Sequence, residues 1–239
     1  KQFHKTLTNA GLKPIIGCEA YVAKRGRHSK EGKQDASGWH LVLLAKNPVG
    51  YHNLMKMISI AWLEGQYYRP RIDKELLEQY GEELIITSAC LGGEVSQKLM
   101  NESFEAAEEA ALWYKSIFGA DFYLEIMRHK SDDKEINDRV YKDQVFVNQK
   151  LIEIGRKHQI KIVATNDVHF LNEEDSEAQD RLLCISTGKY LTDTNRLKYT
   201  GKEWFKTQDE MKALFFDFPE ALSNTQEIVD KIEVRKCQH

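Results

Sequence analysis

Short apolar runs alternate with helical patterns along the whole chain, and this alternation constrains the fold more than any other feature. Runs near residues 15, 40, 85, 122 and 162 are rich in Ile, Val and Leu. Strands of this kind, apolar on both faces, belong to sheets covered on both sides by helical crossovers. The predicted architecture is α/β with a mostly parallel sheet. Its strands are read over 14–22, 40–45, 83–89 and 121–126, with a last one starting at Lys161. Asn47-Pro48 opens a helix reaching about Leu63, with Asn as cap and Pro at the first helical position. Asp73 caps a short helix through Tyr80. Further helices are predicted over 95–100, 104–118, 138–158, 175–186, 208–215 and 219–232. Phe3–Asn9 reads as a helix closed by Gly11. Lys24–Gly38, rich in Gly, Ser and Lys, is predicted to be a mobile polar loop.

With 239 residues the chain is long enough for one large domain. Its 41% hydrophobic and 30% charged content is that of a folded globular protein. A net charge of −3 excludes a chain that holds nucleic acid by bulk positive charge, but not one with a local basic patch. The four cysteines, Cys18, Cys90, Cys184 and Cys237, form no CxxC pair, so a reduced, cytoplasmic compartment is expected. No apolar run approaches the ~20 residues of a membrane span.

The segment Lys161-Ile-Val-Ala-Thr-Asn-Asp-Val-His-Phe170 carries the strongest chemical signal. It ends a β-branched run in Asp167 and His169, two residues apart, so both side chains leave the same strand end. In α/β barrels that end is where sites are built. A carboxylate and an imidazole can bind zinc, manganese or iron; alternatively, Asp167 caps a turn and His169 lies on the surface. Cys90, in Thr87-Ser-Ala-Cys-Leu-Gly-Gly93, occupies the corresponding end of another strand. It is a metal thiolate or a buried structural cysteine. Glu19, inside an apolar strand, must be paired, bind metal or face solvent. His40 begins its strand, the wrong end for such a site unless that strand runs antiparallel. Glu125 and His129 form another strand-end pair, read as a salt-bridged support with Arg128 or a lysine as partner. Tyr67-Tyr-Arg-Pro-Arg71 mixes aromatics and arginines as nucleic-acid contacts do, or is a solvated loop. His4, His28, His52, His158 and His239 read as surface residues.

Taken together, Pro14–Val22, His40–Asn47, Tyr68–Asp73, Ser88–Glu94, Tyr123–His129 and Ala164–His169 resemble, in order and spacing, the polymerase-and-histidinol-phosphatase (PHP) domain of bacterial DNA polymerase III alpha subunits. The resemblance covers essentially the whole chain. It implies a distorted (β/α)7 barrel gathering up to three divalent metal ions, whether zinc, manganese or magnesium. It implies Glu19, His40, Cys90, Asp167 and His169 as metal ligands, with Glu125 and His129 supporting them. The family's opening His-x-His and Asp-His motifs would precede Lys1. The expectation is therefore a fragment with an incomplete barrel, a partial metal site and no activity alone. Residues 1–174 would form the barrel, and 175–239 a helical part leading toward a polymerase palm. The implied chemistry is metal-dependent 3′–5′ phosphodiester hydrolysis within a DNA-directed DNA polymerase. Alternatives are an inactive scaffold docking a separate proofreading exonuclease, and a free-standing phosphatase. Expected partners are DNA, through the full-length polymerase, and other replicase subunits.

Overall fold

The computed structural model describes residues 2–233, so Cys237 and His239 lie outside the described residues. The chain runs α1 (Gln2–Asn9), β1 (Gly17–Val22), β2 (Trp39–Ala45), α2 (Pro48–Leu63), β3 (Arg71–Ile72), α3 (Lys74–Tyr80) and β4 (Leu84–Thr87). It continues through α4 (Glu94–Asn101), α5 (Phe104–Phe118), β5 (Phe122–Ile126), α6 (Lys134–Ile136) and α7 (Lys142–His158). It ends with β6 (Lys161–Ala164), α8 (Ser176–Thr187), α9 (Gln208–Leu214) and α10 (Pro219–Lys231). A five-residue π segment, Asn137–Tyr141, joins α6 to α7 where the sequence suggested plain helix. The predicted caps form: Asn47 accepts from the amides of Val49 and Gly50, and Asp73 from that of Leu76.

The sheet is open, in the order β3-β1-β2-β4-β5-β6. The pairs β1–β3, β4–β5 and β5–β6 are parallel. The expected mostly parallel sheet needs one correction: β2 runs antiparallel to both β1 and β4. His40 therefore pairs with Tyr21 near the C-terminal end of β1, while Ala45 pairs with Leu84 at the start of β4. Reversal of this one strand brings His40 to the end where the neighbouring strands finish. The two-residue β3 was not predicted, because it is too short to show a period.

The two faces of the sheet do different work. Leu41, Leu43, Leu84, Ile86, Phe122, Leu124, Ile126, Ile162 and Ala164 point into the main core with α2, α3, α4, α5 and α7. Their neighbours Ile85, Tyr123 and Val163 point the other way and are covered by Ile228 of α10 and by Ile232. Coverage on both faces is why these strands read as unbroken apolar runs. Continuing the period of two along this second face leads from Leu44, Ile85, Tyr123 and Val163 to Val42, Thr87, Glu125 and Thr165, and across the β1–β2 register to Glu19 and His40. One end of the face is closed by α10, and the other is polar.

Glu227 fastens α10 there. It accepts from the Tyr123 hydroxyl at 2.7 Å, pairs with Lys231 at 3.2 Å and forms an ion pair with Lys161. The Lys161 ammonium, first among these, holds its carboxyl down at about 2. We expect Glu227→Gln to lower stability by roughly 1–2 kcal/mol at pH 7, the range for a charged hydrogen bond at a partly buried site. A depressed native pKa gives stability that is present above the unfolded value of about 4.3 and is lost as pH falls toward 2. Urea midpoints of the two proteins should thus differ at pH 7 and converge near pH 2.

Candidate metal centre

Glu19, His40 and Cys90 meet at the polar end of this face, each offering a ligand atom within 4.8 Å of the others. His40 Nδ1 lies 2.5 Å from Glu19 Oε1 and 3.5 Å from Cys90 Sγ. Cys90 is delivered by a turn whose second residue past the strand, Ala89, adopts φ 58°, a region costly for alanine that the surrounding contacts must hold. The His40 amide donates to the Gly92 carbonyl at 2.9 Å, and the Gly92 amide to Cys90 Sγ at 3.4 Å. A Cβ on Gly92 would stand 3.0 Å from the His40 ring, and one on Gly93 only 2.0 Å from the Ser88 carbonyl oxygen. The paired glycines therefore serve close approach, and no phosphate loop is formed. Tyr21 meets the His40 ring edge-on, centroids 5.1 Å apart.

The electrostatics of the group centre on His40. The His40 imidazole is pushed up to about 10, first by its hydrogen bond to Cys90 and then by that to Glu19. The same contact with His40 holds the Glu19 carboxyl below its usual range.

Asp167 and His169 stand outside this 4.8 Å group but within its electrostatic reach. Burial raises the Asp167 carboxyl and the Glu19 charge raises it further, while His169, His129 and His40 pull it down. Asp167 has φ 44°, a left-handed turn after β6 rather than an extension of the strand. His169 Nδ1–H donates to the Asp167 carbonyl at 2.6 Å. That fixes the tautomer and leaves Nε2 with a free lone pair, the arrangement metal-binding histidines adopt. Oxygen, nitrogen and sulfur donors at one strand end, with one imidazole oriented through its other nitrogen, fit a divalent metal of the zinc or manganese kind.

Glu125 and His129 behave differently. Glu125 is buried and accepts from the hydroxyls of Thr87 and Thr165, clamping the ends of β4 and β6. Burial raises its carboxyl, and those two hydroxyls pull it down. The expected partner Arg128 instead pairs with Asp217 at 2.6 Å. Buried His129 donates through Nε2 to the Asn166 carbonyl at 3.1 Å and accepts at Nδ1 from Gln144 at 3.0 Å. Both ring nitrogens are engaged, so it offers no lone pair to a metal. His158, read as a surface residue, is half-buried and bonded to Glu108 at 2.8 Å.

One residue at the site had no signature in the sequence. Tyr199 brings its ring to 4.2 Å from that of His169. It is carried there by a strap in which the His169 amide donates to the Glu203 carbonyl and the Asn166 side chain to the carbonyls of Lys202 and Trp204. Burial, then the Asp167 charge, pushes its hydroxyl up to about 12. Thirty positions, including the whole of α8, separate Tyr199 from His169, and no periodicity spans them.

Fold and donor set together define a barrel-like α/β domain with a candidate metal centre at its converging strand ends. A family model described as the PHP domain matches residues 1–129, more than half of the chain. The chain belongs to the PHP domain family. It is similar to the DNA polymerase III subunit alpha of Borreliella burgdorferi, 48% identical over 236 residues, covering 97% of this chain and 20% of that protein. The corresponding protein of Campylobacter jejuni is 42% identical over 240 residues, covering 96% and 19%. That of Treponema pallidum is 41% identical over 236 residues, covering 98% and 19%. The chain thus spans about a fifth of the length of these relatives. No described helix is long and apolar enough to cross a membrane.

Proposed function

We propose that this chain is the PHP module of a replicative DNA polymerase alpha subunit, and that within the full-length protein, though not alone, the module hydrolyses phosphodiester bonds at the 3′ end of a DNA strand. Glu19, His40, Cys90, Asp167 and His169 would hold divalent metal ions for that purpose. The observation that carries this reading is the convergence of carboxylate, imidazole and thiol on one space, beside a second imidazole with a free Nε2. A bound metal would polarise the phosphate and supply hydroxide at neutral pH. The thiol favours zinc over magnesium at the Glu19–His40–Cys90 group. Around it the chain's own residues position the donors: Tyr21 and Tyr199 fix the two imidazoles, and Glu125 ties together the strand ends that carry them. Residues 1–174 would be the barrel, and 175–239 the part leading toward the polymerase palm. DNA, the remaining replicase subunits and the cytoplasm follow from this reading.

A scaffold role is the second reading, favoured by Leu182, Ile185 and Tyr190, apolar side chains left exposed on and after α8. The test is the full-length protein with Asp167→Ala or His169→Ala. The expected result is loss of bound metal together with loss of manganese-dependent shortening of a single strand from its 3′ end. Unchanged metal content would remove the pair from the ligand set. Metal without strand hydrolysis would favour the scaffold, and hydrolysis of small phosphomonoesters alone the phosphatase reading.

A further inference from the structure

Beside the candidate metal centre lies a second feature, a cavity of about 270 Å³ lined by Lys24, Lys33, Trp39, His40, Gly92 and Gln97, among others. His40 lines the cavity and also belongs to the Glu19–His40–Cys90 group, so the two adjoin. No acidic residue lines it. The loop that forms its outer wall, 24–38, was predicted to be mobile, but its charges are organised. Arg25 takes Asp35 through two hydrogen bonds, of 3.2 and 2.5 Å, and Glu31 at 3.0 Å. Arg27 takes Asp73 at 3.0 Å. Buried Arg71 donates to the carbonyls of Arg27 and Ser29. The loop's own carboxylates are thus committed to Arg25, and among the described residues no ion pair forms at Lys24 or Lys33, both exposed. Among the described residues the ammonium groups of these two lysines make one contact, that of Lys24 Nζ, 5.8 Å from the centroid of the Trp39 ring.

The larger cavity near α8, about 440 Å³, has the opposite character. Its lysines Lys198 and Lys202 are each paired, with Asp133 at 3.5 Å and with Glu173 at 2.9 Å. Of the two, only the smaller cavity presents uncompensated cations.

We infer that the cavity bounded by Lys24, Lys33, Trp39, His40 and Gln97 seats the DNA strand presented to the candidate metal centre. Lys24 and Lys33 hold strand phosphates, and Trp39, which is half-buried against the core with the Lys24 and Lys98 ammonium groups 5.8 and 5.7 Å from its ring, offers what remains exposed of that ring to an unstacked base. Paired cations and an aromatic side chain in a groove are the chemistry that binds single strands without reading sequence. The inference rests on the hydrolytic reading for the purpose of the site, but not for the binding itself.

Lysine footprinting of the full-length protein separates the two. Acetylation of Lys24 and Lys33, followed by mass spectrometry, should slow at least fivefold in the presence of about 1 mM oligothymidylate, above the usual range of non-specific strand affinities. Protection without any strand hydrolysis would sustain the strand seat while the hydrolytic reading fails. Hydrolysis without protection would overturn the seat and leave the hydrolytic reading standing. Equal protection by the same concentration of inorganic phosphate would overturn the assignment to a strand. Where hydrolysis is measurable, the double variant Lys24→Ala, Lys33→Ala should raise KM about tenfold, keep its metal content, and lower the slope of log KM on log salt by about 2, one per phosphate contact. An unchanged KM and slope would count against the inference.

Discussion

Replacing His40 by alanine in the full-length protein should remove metal from the Glu19–His40–Cys90 group and lower strand hydrolysis by at least 10²–10³-fold. Loss of a partner that only orients a ligand already costs about 10–100-fold in metal affinity or activity, and His40 is the donor between the other two. The fold should survive. Glu19 is 44% exposed and His40 30%, so loss of their ion pair costs no more than about 1 kcal/mol. A comparison with His129→Ala sharpens the test. That ring is buried, with both nitrogens bonded within the protein. Its loss should cost stability, roughly 2–3 kcal/mol for the unsatisfied Gln144 and Asn166 groups and the space left behind, with metal retained by the folded fraction. Elemental analysis and denaturant melts of both variants give the answer. Metal retained by His40→Ala but lost from His129→Ala would invert the assignment of the two histidines.

That distinction was only half visible in the sequence. Periodicity and caps located the helices and the longer strands, because those signals are local. Strand direction is not local. A parallel β2 would have put His40 at the wrong end, and only the pairing with β1 and β4 shows that it runs the other way. The family resemblance, not the spacing, argued for His40 and Cys90. Glu125 and His129 were recognised as standing near the site, yet their partners were not, because hydroxyls and amides 15 to 40 positions away carry no charge pattern to read. Tyr199 was missed for the same reason: the strap that carries it is held by backbone carbonyls, which every residue has. Long-range pairing therefore decided what local pattern left open.

Arg71 makes the same point with a large expected effect. In sequence, the Tyr67–Arg71 stretch reads as a nucleic-acid contact or as a solvated loop. In the fold Arg71 is fully buried. Its guanidinium donates to the carbonyls of Gly65, Arg27 and Ser29. It thereby joins the end of α2 to the 24–38 loop that walls the lysine-lined cavity. Arg71→Ala would strip three carbonyls of their donor and leave a cavity the size of a long side chain. Each orphaned buried acceptor costs about 1 kcal/mol or more, and the emptied space adds to it. We expect a loss of roughly 3–5 kcal/mol, a large fraction of a typical domain's stability. Loop and core should respond to different degrees. Limited proteolysis should cut within 24–38 at protease levels that spare the parent protein, before the sheet melts. Arg71→Lys would restore the charge but not the forked geometry that reaches three carbonyls, so it should recover only a part of the loss. A variant as stable and as protease-resistant as the parent would mean that the loop is held by Arg25 and Arg27 alone. Slower cleavage of a folded Arg71→Ala protein in the presence of oligothymidylate would show the loop closing on the strand it is inferred to hold.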